Sequence, residues 1–295
     1  MNYPGIWIDI AKSFRLGNET AFLSFVSVCI LGYLYSCYTL LKKSPSVYSL
    51  LAMISGASLL AVERGNNDIV IFSLMAVALH LRRDWMRSIV VLLAVVLKVY
   101  PVFSIYGFFQ RNIKLLVLTA LLSAIYLICN LNEMILIKSG NTAFGFLAYG
   151  VHLDTIKTVG LLLVLVFSSY LFWKTGVAAK WFANGNDEYA RELFIVGGSI
   201  FVATFILSMN WDYRLIFLIF CLPYFQSLNN RLVKHVSSVS VLLSMNVLLM
   251  HSFGRLAINA SKISQFFLFA VIFVALSYEL SLRTLFTKGV GQVAK

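Results

Sequence analysis

Residues 88–110 read SIVVLLAVVLKVYPVFSIYGFFQ. The run is apolar and long enough to cross a bilayer, which takes roughly 20 helical residues. Yet Lys98 stands in its middle and Pro101 follows shortly after. An ammonium in hydrocarbon demands a partner or a bound anion. A proline inside a helix removes a backbone hydrogen bond and breaks or kinks it. The run therefore reads as a broken, re-entrant helix pair, an arrangement tolerated in membranes where it lines a cavity.

Working outward, further apolar runs fall at about 20–41, 47–62, 69–80, 115–131, 156–174, 193–209, 214–227, 233–250 and 265–284. They predict an all-α, polytopic transmembrane bundle of about nine spans with the broken pair near 88–110. Composition agrees: 60% of the 295 residues are hydrophobic and 12% charged, and the mean hydropathy is +0.86. A soluble domain carries about 25% charged residues, so a soluble enzyme, a disordered chain and a coiled coil are excluded. The strict apolar–polar alternation of a membrane β-barrel is missing. No linker, repeat or low-complexity stretch divides the chain, so residues 1–295 read as a single transmembrane domain. Residues 1–19 form an interfacial segment at the outer side, in which Ile6, Ile10 and Phe14, with Trp7 beside them, suit a short helix lying in the membrane surface.

The net charge is +12, from 24 Lys and Arg against 12 Asp and Glu. In a membrane protein this reads as basic cytoplasmic loops rather than a nucleic-acid surface. With residues 1–19 outside and 88–110 re-entrant, Lys42, Lys43, Arg82, Arg83, Arg87, Arg111, Lys114, Arg231 and Lys234 all fall inside. The expected protein is integral and multi-pass, in a bacterial inner (plasma) membrane, with the lipid bilayer as its first partner. The cysteines, Cys29, Cys37, Cys129 and Cys221, lie in apolar runs and read as buried filler. The scattered histidines give no metal site, and no phosphate-binding loop or dinucleotide fingerprint appears; no cofactor is expected.

The same orientation places three polar clusters on the outer face: ERGNND at 63–68, KVYP at 98–101 and NWDYR at 210–214. In the first, Gly65 permits a tight turn, Arg64 suits an anion, and Asn66, Asn67 and Asp68 suit hydroxyl recognition. In the second, Lys98 beside a helix end freed by Tyr100 and Pro101 makes a phosphate site. In the third, Trp211 and Tyr213 fit the aromatic belt, whereas Asn210, Asp212 and Arg214 exceed what a belt needs. A glycine-rich loop at 132–155 joins them and carries His152 and Asp154, read as an ordinary polar loop.

The order NYPGIW (2–7), ERGNND, KVYP and NWDYR resembles membrane glycosyltransferases of the C-type fold, and within them glycosyltransferase family 87, the polyprenol-phosphate-mannose-dependent enzymes. The resemblance implies transfer of a sugar from a polyprenyl-phosphate donor to a glycan or lipid acceptor on the extracytoplasmic face. It implies that Arg64 and Lys98 contact the donor phosphate, that Asn66, Asn67 and Tyr100 help line the substrate site, and that Arg214 faces it. Asp68 and Asp212 are the candidate catalytic carboxylates. Family members open with an additional helix and an acidic outer loop. This chain opens with what resembles the end of that loop, so the resemblance implies a chain lacking that helix. An O-antigen-type polysaccharide polymerase or a lipid-linked-sugar flippase is the alternative. A flippase needs polar residues on both sides and often inverted repeats. Replacing Lys98 by Met is expected to spare folding and impair donor use.

Overall fold

The computed structural model describes residues 6–110, 112–130, 143–145, 155–182, 187–207 and 210–293. His152, Asp154 and the start of NYPGIW lie outside the described residues. Among the described residues the chain is all-α apart from a two-residue antiparallel ladder, β1 (Ala143–Phe144) with β2 (Asn210–Trp211).

Helix α1 (Ile6–Ser13) packs on α6 (Asp84–Leu97). Helix α2 (Glu19–Lys43) begins under an Asn18 cap whose side chain accepts from the Thr20 and Ala21 N–H groups. Its last turn holds Lys42 and Lys43, which oppose the negative end of the helix dipole. The expected span at 47–62 is two helices, α3 (Val47–Met53) and α4 (Gly56–Glu63). Ser55 restarts the chain by accepting the Ser58 N–H, the usual use of serine at a helix start. Helices α5 (Asp68–His80) and α6 follow.

The stretch that decided the sequence reading is broken where expected. Helix α6 stops at Leu97, Lys98 and Val99 are non-helical, and a 3-10 turn (Tyr100–Ser104) leads into the short α7 (Ile105–Phe109). Helices α8 (Ile113–Cys129), α9 (Thr155–Lys174), α10 (Val177–Phe182) and α11 (Glu188–Leu207) come next. The run expected as a span at 214–227 is instead a 3-10 helix, Asp212–Cys221, leading into α12 (Leu222–Ser227). The difference has a packing reason. Within this run Leu215 to Phe225 are all buried, so the segment is the centre of the molecule and not a lipid-facing helix. Helices α13 (Arg231–Met245), α14 (Val247–His251) and α15 (Arg255–Val293) close the chain.

Among the described residues, three helices are long and apolar enough to cross a membrane: Glu19–Lys43, Glu188–Ile206 and Arg255–Leu280. Shorter apolar helices include Asp68–His80 and Ile113–Cys129. Large apolar side chains on α2, α8 and α9 remain exposed, among them Val28, Leu31, Leu121, Ile125, Leu163 and Phe167. Such faces suit hydrocarbon, not water. Cys37 and Cys221 are buried as expected, but Cys129 is exposed.

Aromatic rings fill the interior. Phe72 stacks on Phe220 at 4.5 Å between centroids and meets Tyr33 edge-on at 5.1 Å. Phe217 stands 6.0 Å from Phe72 and 5.3 Å from Tyr100. At the other end Phe194 stacks on Tyr224 at 4.1 Å. Gly197 lets α11 come this close: a Cβ there would lie 2.5 Å from the Phe217 carbonyl oxygen and 2.7 Å from the Phe220 Cβ. Small residues serve the same purpose throughout membrane helix packing.

Candidate functional site

The segment ERGNND is first a helix terminator. Glu63 is the last residue of α4, Arg64 its cap, and Gly65 takes a φ of +52°. The Gly65 N–H bonds the Val62 carbonyl at 3.0 Å and the Asn66 N–H bonds the Ala61 carbonyl at 2.9 Å. This pair of bonds is the Schellman motif, and glycine supplies its left-handed residue without strain. The turn aims the chain into α5. Asn67 is the residue before the helix and Asp68 its first, where the exposed N–H groups and the dipole favour a carboxylate. The Asn66 side-chain oxygen accepts the Asp68 N–H at 2.9 Å.

Asp68 is wholly buried and is the centre of the site. Its Oδ1 accepts from the Lys98 ammonium and, at 2.6 Å, from the Tyr100 hydroxyl. Lys98 also donates to the Asn67 Oδ1 at 2.6 Å. The Arg214 Nε lies 3.8 Å from Asp68 Oδ2. The Arg214 guanidinium sits over the Tyr100 ring, 4.8 Å from its centroid, a stacking that suits its planar, weakly hydrated cation. Tyr213 is 5.9 Å from the Lys98 ammonium. The Lys98 side chain is 8% exposed and that of Arg214 17%, so Arg214 is the more accessible of the two cations.

The break in α6 is what delivers Lys98 and Tyr100. A helix that ends inside the molecule leaves carbonyls without partners. Here Trp7 Nε1 donates to the Leu97 carbonyl at 2.8 Å and the Tyr126 hydroxyl to the Val96 carbonyl at 2.9 Å. The helix end is thus held open by donors from α1 and α8.

The site therefore unites Asn66, Asn67, Asp68, Lys98, Tyr100 and Arg214 from three separated sequence clusters. It does not include Arg64, which is exposed and forms no ion pair among the described residues. Asp212 lies two residues before Arg214, directly after β2, and is buried to 3% exposure. It makes no hydrogen bond or ion pair among the described residues. Burial pushes its carboxyl up to about 6, against the opposing pull of Lys262 on α15.

Sequence reasoning missed the second charged cluster, at the opposite end of α5 and α11. Arg191 pairs with Glu279, and its Nη2 donates to the Glu279 backbone carbonyl at 2.7 Å. The Tyr224 hydroxyl donates to Glu279 Oε1 at 2.8 Å. Lys43 lies 4.2 Å over the Tyr189 ring nearby in sequence. The available signal was an acid, Glu279, inside the apolar run 265–284. Also missed were the support of Trp7 at the helix break and the approach of Lys262 to Asp212.

Compared with known protein families, curated proteins and solved structures, the chain matches none. What fold and site define by themselves is an α-helical membrane protein with a buried, doubly cationic carboxylate site at one end of its bundle.

Proposed function

We propose that the protein is a membrane glycosyltransferase, similar to the C-type enzymes of family 87, that moves a sugar from a polyprenyl-phosphate donor to a glycan or lipid acceptor at the extracytoplasmic face of a bacterial inner membrane. The observation that carries the reading is the convergence of Lys98 and Arg214, from two distant elements, on a buried carboxylate at a broken helix. Two preorganised cations beside a lipid-facing bundle suit a phosphate whose tail stays in hydrocarbon. The acceptor oxygen attacks the anomeric carbon, the bond from that carbon to the phosphate oxygen breaks, and polyprenyl phosphate leaves. Lys98 and Arg214 stabilise the charge that develops on the leaving phosphate. Tyr100 and Asn67 hold Lys98 and Asp68 in place, and a carboxylate takes the acceptor proton. The packed column of Tyr100, Phe217, Phe72 and Phe220 rings beneath the site favours an enzyme over a flippase, which needs a polar path between its two faces.

The test uses full-length protein in native membranes supplied with polyprenyl-phosphate mannose, glucose or galactose, and measures release of polyprenyl phosphate. Turnover of one donor is expected, and Arg214→Gln lowers it about 100-fold or more, the range seen when one oxyanion donor is removed. The neutral pair Asp68→Asn/Lys98→Met provides a second, foldable probe of the same site. No turnover of any donor, or wild-type turnover in folded Arg214→Gln protein, overturns the reading.

A further inference from the structure

We infer that helix α1 is a lid over the Asp68 site, hinged at residues 14–18 and latched by the Trp7 indole. This holds for any ligand of the site, whether or not it is a glycosyl donor. The site is closed as it stands: Asp68 and Lys98 are buried, as are Asn66 and Tyr100. Yet Asp68 Oδ2 is a buried acceptor that receives no hydrogen bond among the described residues. The Arg214 Nε faces it at 3.8 Å, beyond hydrogen-bond reach. Buried polar atoms are almost always hydrogen-bonded, and an exception calls for a reason. An oxygen reserved for a ligand is such a reason, and a ligand meets it only after an element moves aside.

Helix α1 is placed to do so. The last carbonyls of a helix point past its C-terminus. Trp7 Nε1 donates to the carbonyl of Leu97, the last residue of α6, so the indole lies beyond the end of α6, where Lys98 continues the chain. Helix α1 is thus laid across the end of the helix that delivers Lys98. Its hold is light. None of its eight residues is buried. Ile6, Trp7 and Ile10 pack on the core only in part, and Ile8 and Phe14 are exposed, as suits a helix on a membrane surface. The other donor to this helix end, Tyr126, belongs to the seventeen-residue α8, which packs on both α6 and α7 and does not share that freedom.

The joint between α1 and α2 is built to turn. Helix α1 closes with its own cap: the Arg15 N–H donates to the Lys12 carbonyl at 3.1 Å and the Leu16 N–H to the Ala11 carbonyl at 2.8 Å. This is the Schellman pattern, whose left-handed residue is usually glycine. Here it is Arg15 at a φ of +52°, the one non-glycine residue with positive φ among the described residues. Backbone strain of this kind clusters at switch regions. Helix α2 starts under the separate Asn18 cap, and the Phe14 ring meets Phe25 at 5.8 Å, which pins the hinge end to α2. Between the two caps the Asn18 N–H donates to the Arg15 carbonyl at 3.0 Å, and a Cβ added at Gly17 meets nothing within 4 Å. A turn at Leu16 and Gly17 therefore swings α1 as a unit. It gives up that one backbone bond, the Trp7 latch and the half-buried contacts of Ile6 and Ile10.

Spin labels test the motion in full-length protein in nanodiscs, with the four native cysteines replaced. Ile8→Cys, near the free end of α1, and Arg64→Cys, at the cap of α4, are both exposed positions. At 1.5 Å per residue Ile8 stands about 10 Å from the joint, so a swing of about 45° moves it by about 8 Å. Wild type is expected to show mainly the closed distance. Trp7→Phe removes the latch and is expected to raise the displaced population about fivefold or more, the change in equilibrium that one lost buried hydrogen bond brings. Ile10→Ala, which trims the contact and keeps the latch, is expected to shift it the same way. Polyprenyl phosphate serves as the probe ligand, and its association rate is expected to rise in step with the open fraction. One distance, unchanged in wild type, Trp7→Phe and Ile10→Ala, overturns the inference. A displaced α1 with an unaltered association rate also overturns it, because α1 then moves without gating the site. Failure of polyprenyl phosphate to bind any of these proteins overturns the glycosyltransferase reading instead, and the distances alone then decide the lid.

Discussion

A carboxylate with no exposure survives only because its partners replace water. Removing one member of a buried ion pair strands the other, at a cost of about 3–5 kcal/mol. Asp68→Asn leaves both Lys98 and Arg214 facing a neutral amide, so it is expected to destabilise by that order. Lys98→Met leaves Asp68 with Tyr100 and Arg214 and costs less. This revises the expectation that Lys98→Met would spare folding, because the lysine's partner is itself fully buried. The double variant Asp68→Asn/Lys98→Met removes both charges and is expected to melt above Asp68→Asn. Thermal unfolding in detergent checks the order, and a double variant no better than Asp68→Asn would contradict the coupling. Asp212 behaves in the opposite way. Its carboxyl is raised from the ordinary carboxylate range to about 6, mainly by burial. A group whose folded value lies above its unfolded value costs stability as pH rises between the two. Asp212→Asn is therefore expected to be more stable than wild type at pH 8, with the advantage disappearing below about pH 4. Melting curves across that range decide it; an unchanged difference at both pH values would refute it.

At the scale of elements, the site depends on one helix ending early. The C-terminus of α6 is stabilised by donors that are distant in sequence, Trp7 on the Leu97 carbonyl and Tyr126 on the Val96 carbonyl. Trp7→Phe keeps an aromatic ring and removes the N–H. Leaving a buried acceptor without its donor costs about 1–3 kcal/mol. The expected result is a lower melting temperature with faster hydrogen exchange concentrated at residues 96–101; protection unchanged there would mean that Trp7 does not hold the break. Helix α11 tells a similar story about contact between elements. Gly197→Ala would drive a methyl into the Phe217 carbonyl and the Phe220 Cβ, both on the helix that carries Asp212 and Arg214. Overpacking of a filled interior costs about 1–3 kcal/mol, and here the obstacle is backbone. Gly197→Ala is expected to melt markedly lower. Gly160→Ala, with nothing within 4 Å of the added atom, is expected to be neutral or slightly stabilising.

The whole molecule has two charged ends. Asp68 starts α5 and His80 ends it about 20 Å away at helical rise. The Asp68 site lies at the first end. Arg82, Arg83 and Arg87 follow the second. The tendency of short cytoplasmic loops to carry the excess of basic residues predicts the second end inward and the site outward. Single-cysteine proteins, with the four native cysteines replaced, test this. A membrane-impermeant maleimide applied from outside is expected to label Arg64→Cys and to spare Arg83→Cys. Labelling of both, or only of Arg83→Cys, would reverse or abolish the orientation and move the site off the outer face.

The amino-acid sequence by itself determined the membrane-helical class, since its apolar runs leave too little charge for a water-facing surface. It also marked the break at Lys98–Pro101, because a lysine and a proline within hydrocarbon have few other readings. ERGNND was legible as a polar interruption but not as a division of labour: Gly65 and the Asn66 backbone close α4, and the Asn66 side chain, Asn67 and Asp68 enter the site. What only the tertiary structure decided is which groups meet. The pairing of Asp68 with Lys98 and Arg214 spans residues from three clusters, and Arg64, equally basic and closer in sequence, stays outside it. The run at 214–227 looked like any other span, yet it is a 3-10 helix to Cys221 followed by the short α12, buried in the core where Gly197 admits its backbone against α11. A local pattern records polarity and period; it does not record which neighbour supplies the partner for a buried charge, because that partner lies wherever packing brings an element from elsewhere in the chain.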